Sequence, residues 1–242
     1  MRFRSLLVLC ALLAGPLAAA QAQGFWVKKN YKTWTEKECR KLLEDSPWAK
    51  TRVIGKAVLQ ELATRTFERS RENTPQVEYR IQLRSAQPVR QALVRLQVMA
   101  AGYDQADAGQ RQELDAQAEK FLSAQFPDTV VFYVEYSTNT LGFARDLVNY
   151  WRTRTTGLLQ DVRLHTPRGG QLPLVKFTHA GGDAGAFQLT FARQADGQPI
   201  LNPQDDELKL ELNHPTMGEV SGERIFIVFK VRDLLQNGVL QY

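Results

Sequence analysis

Apolar and polar residues alternate strictly in several short runs of the C-terminal part of the chain. Leu208, Leu210 and Leu212 alternate with polar neighbours, and residues 187–191 repeat the pattern. A period of two residues puts one face of each strand against a core and the other face in solvent. Because glycine-rich turns connect these runs, the pattern predicts an antiparallel, sandwich-like sheet in the C-terminal half.

Helical patterns concentrate in the N-terminal half. Thr35 and Glu38 have the spacing of a capping box at the start of a short helix. An apolar stripe with a 3.6-residue period begins at Pro88, and further helices are predicted over 110–125 and 141–151. The sequence therefore predicts the α+β class, with packed helices in the N-terminal half and an antiparallel β-sandwich-like C-terminal half.

Three strands carry specific expectations. Residues 77–83 alternate as a half-buried strand should, and residues 172–178 are predicted to form a single strand in which Pro173 indicates a sheet edge. Residues 225–231 are apolar on both faces up to Lys230. That pattern predicts a central strand, covered by the opposing sheet on one face and by the helix that begins at Pro88 on the other.

Residues 1–22 have the composition of a secretory signal peptide. Arg2 and Arg4 precede a short apolar run, and an A-x-A cleavage pattern ends at Ala22, which predicts a mature chain beginning at Gln23. The apolar run is shorter than the roughly 20 residues of a membrane-spanning helix, and an uncleaved N-terminal anchor is the alternative. We therefore expect a periplasmic or secreted protein with no stable membrane anchor after cleavage.

This interpretation divides the chain into three parts. Residues 1–22 are the signal peptide, residues 23–75 are an aromatic and basic segment with a short helix, and residues 76–242 are an α+β domain with an antiparallel sheet. Loss of two arginines with the signal peptide lowers the formal net charge from +5 to +3. So small an excess of positive charge in an exported chain argues against nucleic acid as a partner.

Cleavage would leave Cys39 as the single cysteine. A reactive thiol needs exposure and positive surroundings. Cys39 instead shares a helical face with Leu42 and Leu43, which favours a buried structural residue over a nucleophile.

The histidines His165, His179 and His214 lack the short spacings of common metal sites, although ligands from distant segments can converge on folding. The sequence contains no serine-hydrolase elbow and no Walker or dinucleotide-binding pattern. It therefore assigns no catalytic, cofactor-binding or metal-binding residue and implies no cofactor. The site residues it does name are Ala22 and Gln23, which flank the predicted cleavage point.

A basic stretch with five arginines runs from Arg145 to Arg168 and includes the pair Tyr150-Trp151. One interpretation is a patch for an anionic partner, such as a phospholipid head group or an acidic polysaccharide. The other is the solvated face of a helix followed by the solvent side of a strand, which is the commoner role of such charges.

Three segments also carry a family resemblance. They are Trp34 to Cys39 with Leu42-Leu43 and residues 45–48, then Leu83 to Ala92, then Phe229 to Leu234. In this order they resemble a family of bacterial exported proteins of unknown function, and the match extends from about Trp34 to Leu240. The resemblance implies export and a mixed helix–strand build, but no activity, cofactor or site residue.

These observations predict an exported soluble protein that acts as a non-catalytic binding or interaction module of the cell envelope, with an envelope protein or an anionic ligand as partner. The alternative is an envelope enzyme, hydrolase-like, whose site is assembled from distant residues. A cluster of histidine and carboxylate side chains in one pocket would favour the enzyme. An exposed aromatic patch without such a pocket would favour binding.

Overall fold

The computed structural model of the protein describes residues 24–55, 74–123, 126–181 and 185–242. The predicted signal peptide and its cleavage point at Ala22 and Gln23 lie outside the described residues, and so does the segment 56–73.

Helices and strands both run through the described chain. The α-helices are α1 (Phe25–Lys28), α2 (Glu36–Glu44), α3 (Gln87–Ala100), α4 (Ala108–Ser123) and α5 (Leu141–Arg152). The strands are β1 (Ala49–Gly55), β2 (Gln76–Leu83), β3 (Thr129–Thr138), β4 (Arg163–His165), β5 (Gln171–Pro173), β6 (Lys176–His179), β7 (Ala186–Ala192), β8 (Gln194–Ala195), β9 (Gln198–Pro199), β10 (Glu207–His214), β11 (Glu223–Lys230), β12 (Leu235–Gln236) and β13 (Val239–Leu240). Short 3₁₀ turns lie at Tyr31–Thr33, Thr156–Leu158 and Val231–Leu234.

Most strands of the described chain belong to two antiparallel sheets. The large sheet has five strands in the order β1-β2-β3-β7-β6, and the small sheet has four in the order β11-β10-β4-β5. The pairs β8–β9 and β12–β13 are short hairpins. Since β1 pairs with β2 over seven residues, the chain before residue 76 contributes a strand to the same sheet as the chain after it.

The inner faces of the two sheets meet in one apolar core. On β2 the inward side chains are all fully buried: Val77, Tyr79, Ile81 and Leu83. Phe132 of the large sheet contacts Phe229 of the small sheet, with ring centroids 5.6 Å apart. This sheet-on-sheet packing with helices at its flanks confirms the predicted α+β class.

The helix α2 begins with the predicted capping box. Glu38 N donates to Thr35 Oγ1 at 3.2 Å, and Thr35 N donates to Glu38 Oε2 at 2.9 Å. The apolar face of α2 packs against α3, β1 and β2. Within the described ranges, no helix has the length and the apolar composition that a bilayer crossing requires.

The segment before α2 is tied to the far end of the chain. Trp26 packs edge-on against Trp48 at 5.8 Å, and Gln236 Nε2 donates to the Trp26 carbonyl at 2.8 Å. The indole N–H of Trp48 donates to the Gln241 carbonyl at 2.9 Å. These contacts use aromatic residues of the segment for packing, whereas Lys28 and Lys29 are exposed and Lys32 is half-buried beside Asp115.

The expectation that residues 225–231 form a central strand is wrong. Residues 225–230 lie in β11, which is an edge strand of the small sheet, and Val231 begins the 3₁₀ turn that follows. Ile225, Ile227 and Phe229 face the core as predicted, but Phe226 on the other face is 48% exposed, which no helix of the described residues prevents. Two apolar faces therefore do not identify a central strand here, because one of them lies at the surface.

The segment 172–178 is likewise not a single strand. It divides into β5, at an edge of the small sheet, and β6, at an edge of the large sheet. Pro173 ends β5, which agrees with its expected edge position, because proline has no N–H to give to a further partner strand. The chain crosses between the sheets at Leu174 and Val175, and Val175 N then donates to Thr190 in the large sheet.

Candidate binding face on the small sheet

The outward side of the small sheet brings together charged side chains from three strands. Register pairs Glu211 of β10 with Phe226 of β11 on one side and with Arg163 of β4 on the other. His165 lies one row away on the same side of β4. Because side chains on one face of a sheet recur every second residue, these groups share a surface that we call the outer face.

Glu211 is at the centre of the outer face and is almost completely buried, with 8% of its side chain exposed. Its Oε1 lies 3.0 Å from Arg224 Nε in an ion pair, and its Oε2 pairs with His165 Nε2. Burial of a carboxylate is costly unless both oxygens have partners, and here both do. The carboxylate therefore fixes the positions of a guanidinium and an imidazole on a surface that otherwise faces solvent.

The pairing with Glu211 determines which ring nitrogen of His165 stays free. When the ring is neutral, Nε2 carries the proton that it donates to Glu211, which leaves Nδ1 as the free acceptor. The His165 ring packs edge-on against Phe226, with centroids 5.9 Å apart. The imidazole is therefore held on two sides, and its remaining nitrogen has no partner among the described residues.

Two groups of the outer face remain available to a ligand. Phe226 is 48% exposed. Arg163 donates to the Val162 carbonyl at 3.2 Å, and no carboxylate of the described chain pairs with it. By contrast, the nearby Lys209 is paired with Glu207 at 2.7 Å. The outer face thus presents an exposed aromatic ring on β11 and, across β10, an arginine that forms no ion pair with a carboxylate of the described residues.

The other histidines do not join His165. His214 lies on the inner face of β10, where Nδ1 is 2.8 Å from the hydroxyl of Tyr79, and burial lowers the pKa of His214 to about 4. His179 lies 3.4 Å from the hydroxyl of Tyr136, and burial lowers its pKa as well. Within the part of the chain that the structure describes, no three metal-ligating side chains come together.

Cys39 is fully buried in α2, on the face that the sequence predicted. Burial raises the pKa of its thiol to about 11. Since the thiolate is the reactive form, these surroundings suit a structural residue and not a nucleophile.

The arginines of the basic stretch separate in the fold. Arg154 stacks on Tyr150 at 4.3 Å, and Arg152 donates to Asn149 at 2.6 Å. Arg168 donates to the Pro199 carbonyl. Arg163 alone among these reaches the outer face, which it shares with Arg224 from a distant strand.

Sequence reasoning missed Glu211, Arg224 and Phe226 as site residues. A charged residue in the middle of an alternating strand usually faces solvent, so Glu211 carried no signal of burial. The signal that could have identified it is the pairing of β10 with both β4 and β11, which places His165 and Arg224 on either side of the same carboxylate.

Comparison of the chain with protein-family models, with curated proteins and with solved structures gives no match. The resemblance to exported bacterial proteins therefore stays a prediction. The fold is therefore the basis for classifying this chain: it is an α+β sandwich, and its small sheet carries an ordered charged network on the outer face.

Proposed function

We propose that this chain is an exported binding module of the cell envelope, and that its outer face binds an acidic polysaccharide. The observation that carries the proposal is the buried carboxylate of Glu211, which holds Arg224 and His165 in place beside an exposed Phe226. A network of this kind reduces the side-chain entropy lost on binding, because the groups that contact the ligand are already ordered.

Charge supports an acidic ligand. Among the described residues, Arg163 has no carboxylate partner, and Arg224 keeps 63% of its side chain exposed while it contacts Glu211 through Nε. A guanidinium with free N–H groups binds a carboxylate in a planar, bidentate geometry. Two such groups at either side of Glu211 suit a chain with repeated carboxylates.

The exposed ring of Phe226 supports a sugar as the ligand. Phe226 and Arg163 lie on either side of β10, so they are about 10 Å apart at the usual strand spacing. A flat sheet face with one aromatic ring offers a surface on which the apolar side of a sugar ring can stack. An acidic sugar unit on Phe226 would then place a neighbouring carboxylate toward Arg163.

The proposal predicts export with cleavage after Ala22. Protein isolated from its native host is expected to begin at Gln23, because the charged start, the apolar run and the A-x-A pattern together form a signal for signal peptidase. Intact-mass spectrometry measures this directly. A cytoplasmic chain that retains Met1 would contradict it.

Binding is tested by calorimetric titration of the chain with polygalacturonate. Saturable binding that weakens at high salt is expected, and Arg163→Ala and Phe226→Ala are each expected to weaken it about tenfold, as for arginine and aromatic anchors of other interfaces. The matched control is Arg145→Ala, which removes the same charge from an exposed position on α5 and should leave the affinity unchanged.

Neutral dextran provides the control for the ligand. Equal affinity for dextran and polygalacturonate would show that the arginines do not determine binding. Unchanged affinity of both the Arg163→Ala and the Phe226→Ala variants would show that the outer face is not the binding site. Absence of binding to polygalacturonate would refute the acidic-polysaccharide proposal.

One observation favours the alternative, an envelope hydrolase. The His165–Glu211 pair has the arrangement of a general base oriented by a carboxylate, with Nδ1 as the proton-accepting atom. Among the described residues, however, no hydroxyl or thiol contacts that nitrogen. Hydrolysis of polygalacturonate in the same titration, abolished by His165→Gln, would establish this function in place of simple binding.

A further inference from the structure

His165 differs from the other histidines of the chain in what a second proton would do to its hydrogen bonds. Its Nε2 is paired with Glu211, and its Nδ1 has no partner among the described residues. A proton added at Nδ1 therefore breaks no hydrogen bond, and the pair with Glu211 is kept. Since 24% of the side chain is exposed, the ring is also in contact with solvent.

The other two histidines are held in the neutral form near neutral pH. His214 is buried, its Nδ1 lies 2.8 Å from the Tyr79 hydroxyl, and burial lowers its pKa to about 4. In His179 the Nδ1 atom accepts from the N–H of Gly181 at 3.1 Å, and burial lowers the pKa of this ring as well. His165 is therefore the histidine whose bonds and surroundings accept a charge most easily.

The charged groups of β10 and β11 around His165 compensate one another when the imidazole is neutral. Glu211 on β10 forms its ion pair with Arg224 on β11. Lys209, which lies opposite His165 on β10, is paired with Glu207 at 2.7 Å. A proton on the imidazole therefore leaves the group of Glu211, Arg224 and His165 with one net positive charge.

The remaining neighbours of His165 add no negative charge. Gln171, which lies opposite on β5, is uncharged. Phe226 packs edge-on against the ring, and Arg163 is two residues away on the same face of β4, about 7 Å at the usual rise of a strand. His165 is therefore close to both of the side chains that we propose to contact the ligand.

Proton uptake changes what the Nδ1 atom of His165 offers to a ligand. In the neutral ring this atom is an acceptor, which cannot bond a carboxylate oxygen, whereas in the charged ring it is an N–H donor. Charge-assisted hydrogen bonds to carboxylates are roughly twice as strong as neutral ones. An acidic sugar stacked on Phe226 would therefore gain a contact in acid that it lacks in alkali.

We infer that His165 is a ligand-binding residue of the outer face and that proton uptake at its Nδ1 strengthens the binding of an acidic polysaccharide. The inference rests on the proposed function, because it concerns the same surface and the same ligand. Glu211 is the positioning residue, since it accepts from Nε2 in both protonation states and directs the added proton to Nδ1. Ligand binding and proton uptake then favour each other to the same extent.

The first test is calorimetric titration of the chain with polygalacturonate at several values from about pH 5.5 to about pH 8. Imidazoles change charge in this range, whereas carboxylates of ordinary acidity stay ionised throughout it. The affinity is expected to be about tenfold higher at the acid end, which is the ratio that one charge-assisted hydrogen bond gives. Tighter binding at the alkaline end would overturn the inference.

The second test counts the protons that accompany binding. Titrations near pH 7 in buffers of different ionisation enthalpy are expected to show net proton uptake, because the ligand stabilises the charged ring. This measurement uses the unchanged chain, so it does not depend on whether a variant folds. Binding without proton uptake would contradict the role of His165.

His165→Gln is the decisive variant, because glutamine keeps an N–H donor for Glu211 but cannot become charged. Its affinity for polygalacturonate is expected to be the same at both ends of the pH range and about tenfold below that of the parent chain at the acid end. His179→Gln is the matched control, since it removes a histidine from β6 of the large sheet, and it should keep the full increase in acid. Circular dichroism checks that both variants are folded.

The outcomes distinguish this inference from the proposed function. Binding that does not change with pH would keep the outer face as a polysaccharide site and would overturn the role of the His165 proton. An increase in acid that persists in His165→Gln would overturn it too, because another group would then take up the proton. Absence of binding at every pH would overturn the inference together with the proposed function.

Discussion

The variant Phe229→Ala is expected to lose about 3–5 kcal/mol of the free energy of unfolding. Phe229 is fully buried on the inner face of β11, and its ring packs against Phe132 across the two sheets. Truncation removes this buried surface and leaves a cavity that two packed sheets cannot easily close. Urea unfolding, followed by Trp fluorescence, gives the midpoint for each variant.

Two variants provide controls for the Phe229 prediction. Phe226→Ala removes the same ring from the opposite face of the same strand, where it is 48% exposed, and Arg232→Ala changes a side chain that is 64% exposed. The arginine variant is expected to cost under about 1 kcal/mol, and the Phe226 variant well below the Phe229 value. Equal midpoints for Phe226→Ala and Phe229→Ala would contradict the assignment of inner and outer faces.

Acid is expected to destabilise the protein through His214. Burial lowers the pKa of this imidazole from 6.5 to about 4. Above pH 6.5 the ring is neutral in both the folded and the unfolded state, so it carries no penalty. Between pH 6.5 and about 4 the unfolded chain takes up a proton that the folded chain does not, so stability falls by about 3 kcal/mol across this range.

The measurement is the free energy of unfolding at several pH values for the parent chain and for His214→Gln. The parent should lose stability more steeply than the variant below pH 6.5, and the difference isolates His214 from the carboxylates that titrate below about pH 5. His179→Gln is the matched control, because His179 is nearer the surface, and it should retain most of the slope. Identical slopes for the parent and His214→Gln would contradict the prediction.

The surroundings of His214 explain why the shift is so large. The residue is 3% exposed, and its ring packs against Tyr79, which is itself fully buried. The Nε2 atom has no hydrogen-bond partner in the described chain, and Glu223, which lies opposite His214 on β11, is paired with Arg52 at 3.3 Å. Charging this imidazole would therefore place a cation in an apolar core without an ion-pair partner.

Local interactions explain which elements the sequence could predict. The alternation that identified β2 and the stripe that identified α3 depend on contacts within a few residues and on one apolar face. The capping box at Thr35 is equally local, since both of its hydrogen bonds join residues three apart. Such patterns define the class of fold and the direction that each side chain faces.

The candidate site depends on contacts between distant segments. His165, Glu211 and Arg224 meet because β4 and β11 flank β10, and this strand order has no local pattern in the sequence. The sequence shows that these residues are polar, but it does not show that they lie next to each other.

Patterns along the chain are enough to predict the α+β class, the capped start of α2, the apolar stripe of α3 and the buried position of Cys39. The edge position of β11, the division of residues 172–178 between two sheets and the burial of Glu211 on an outer face are visible only in the assembled fold. The two groups of features differ because the interactions behind them act over different ranges. Periodicity and capping are set by neighbours along the chain, whereas strand order and burial of a charge follow from the free energy of packing the whole sandwich.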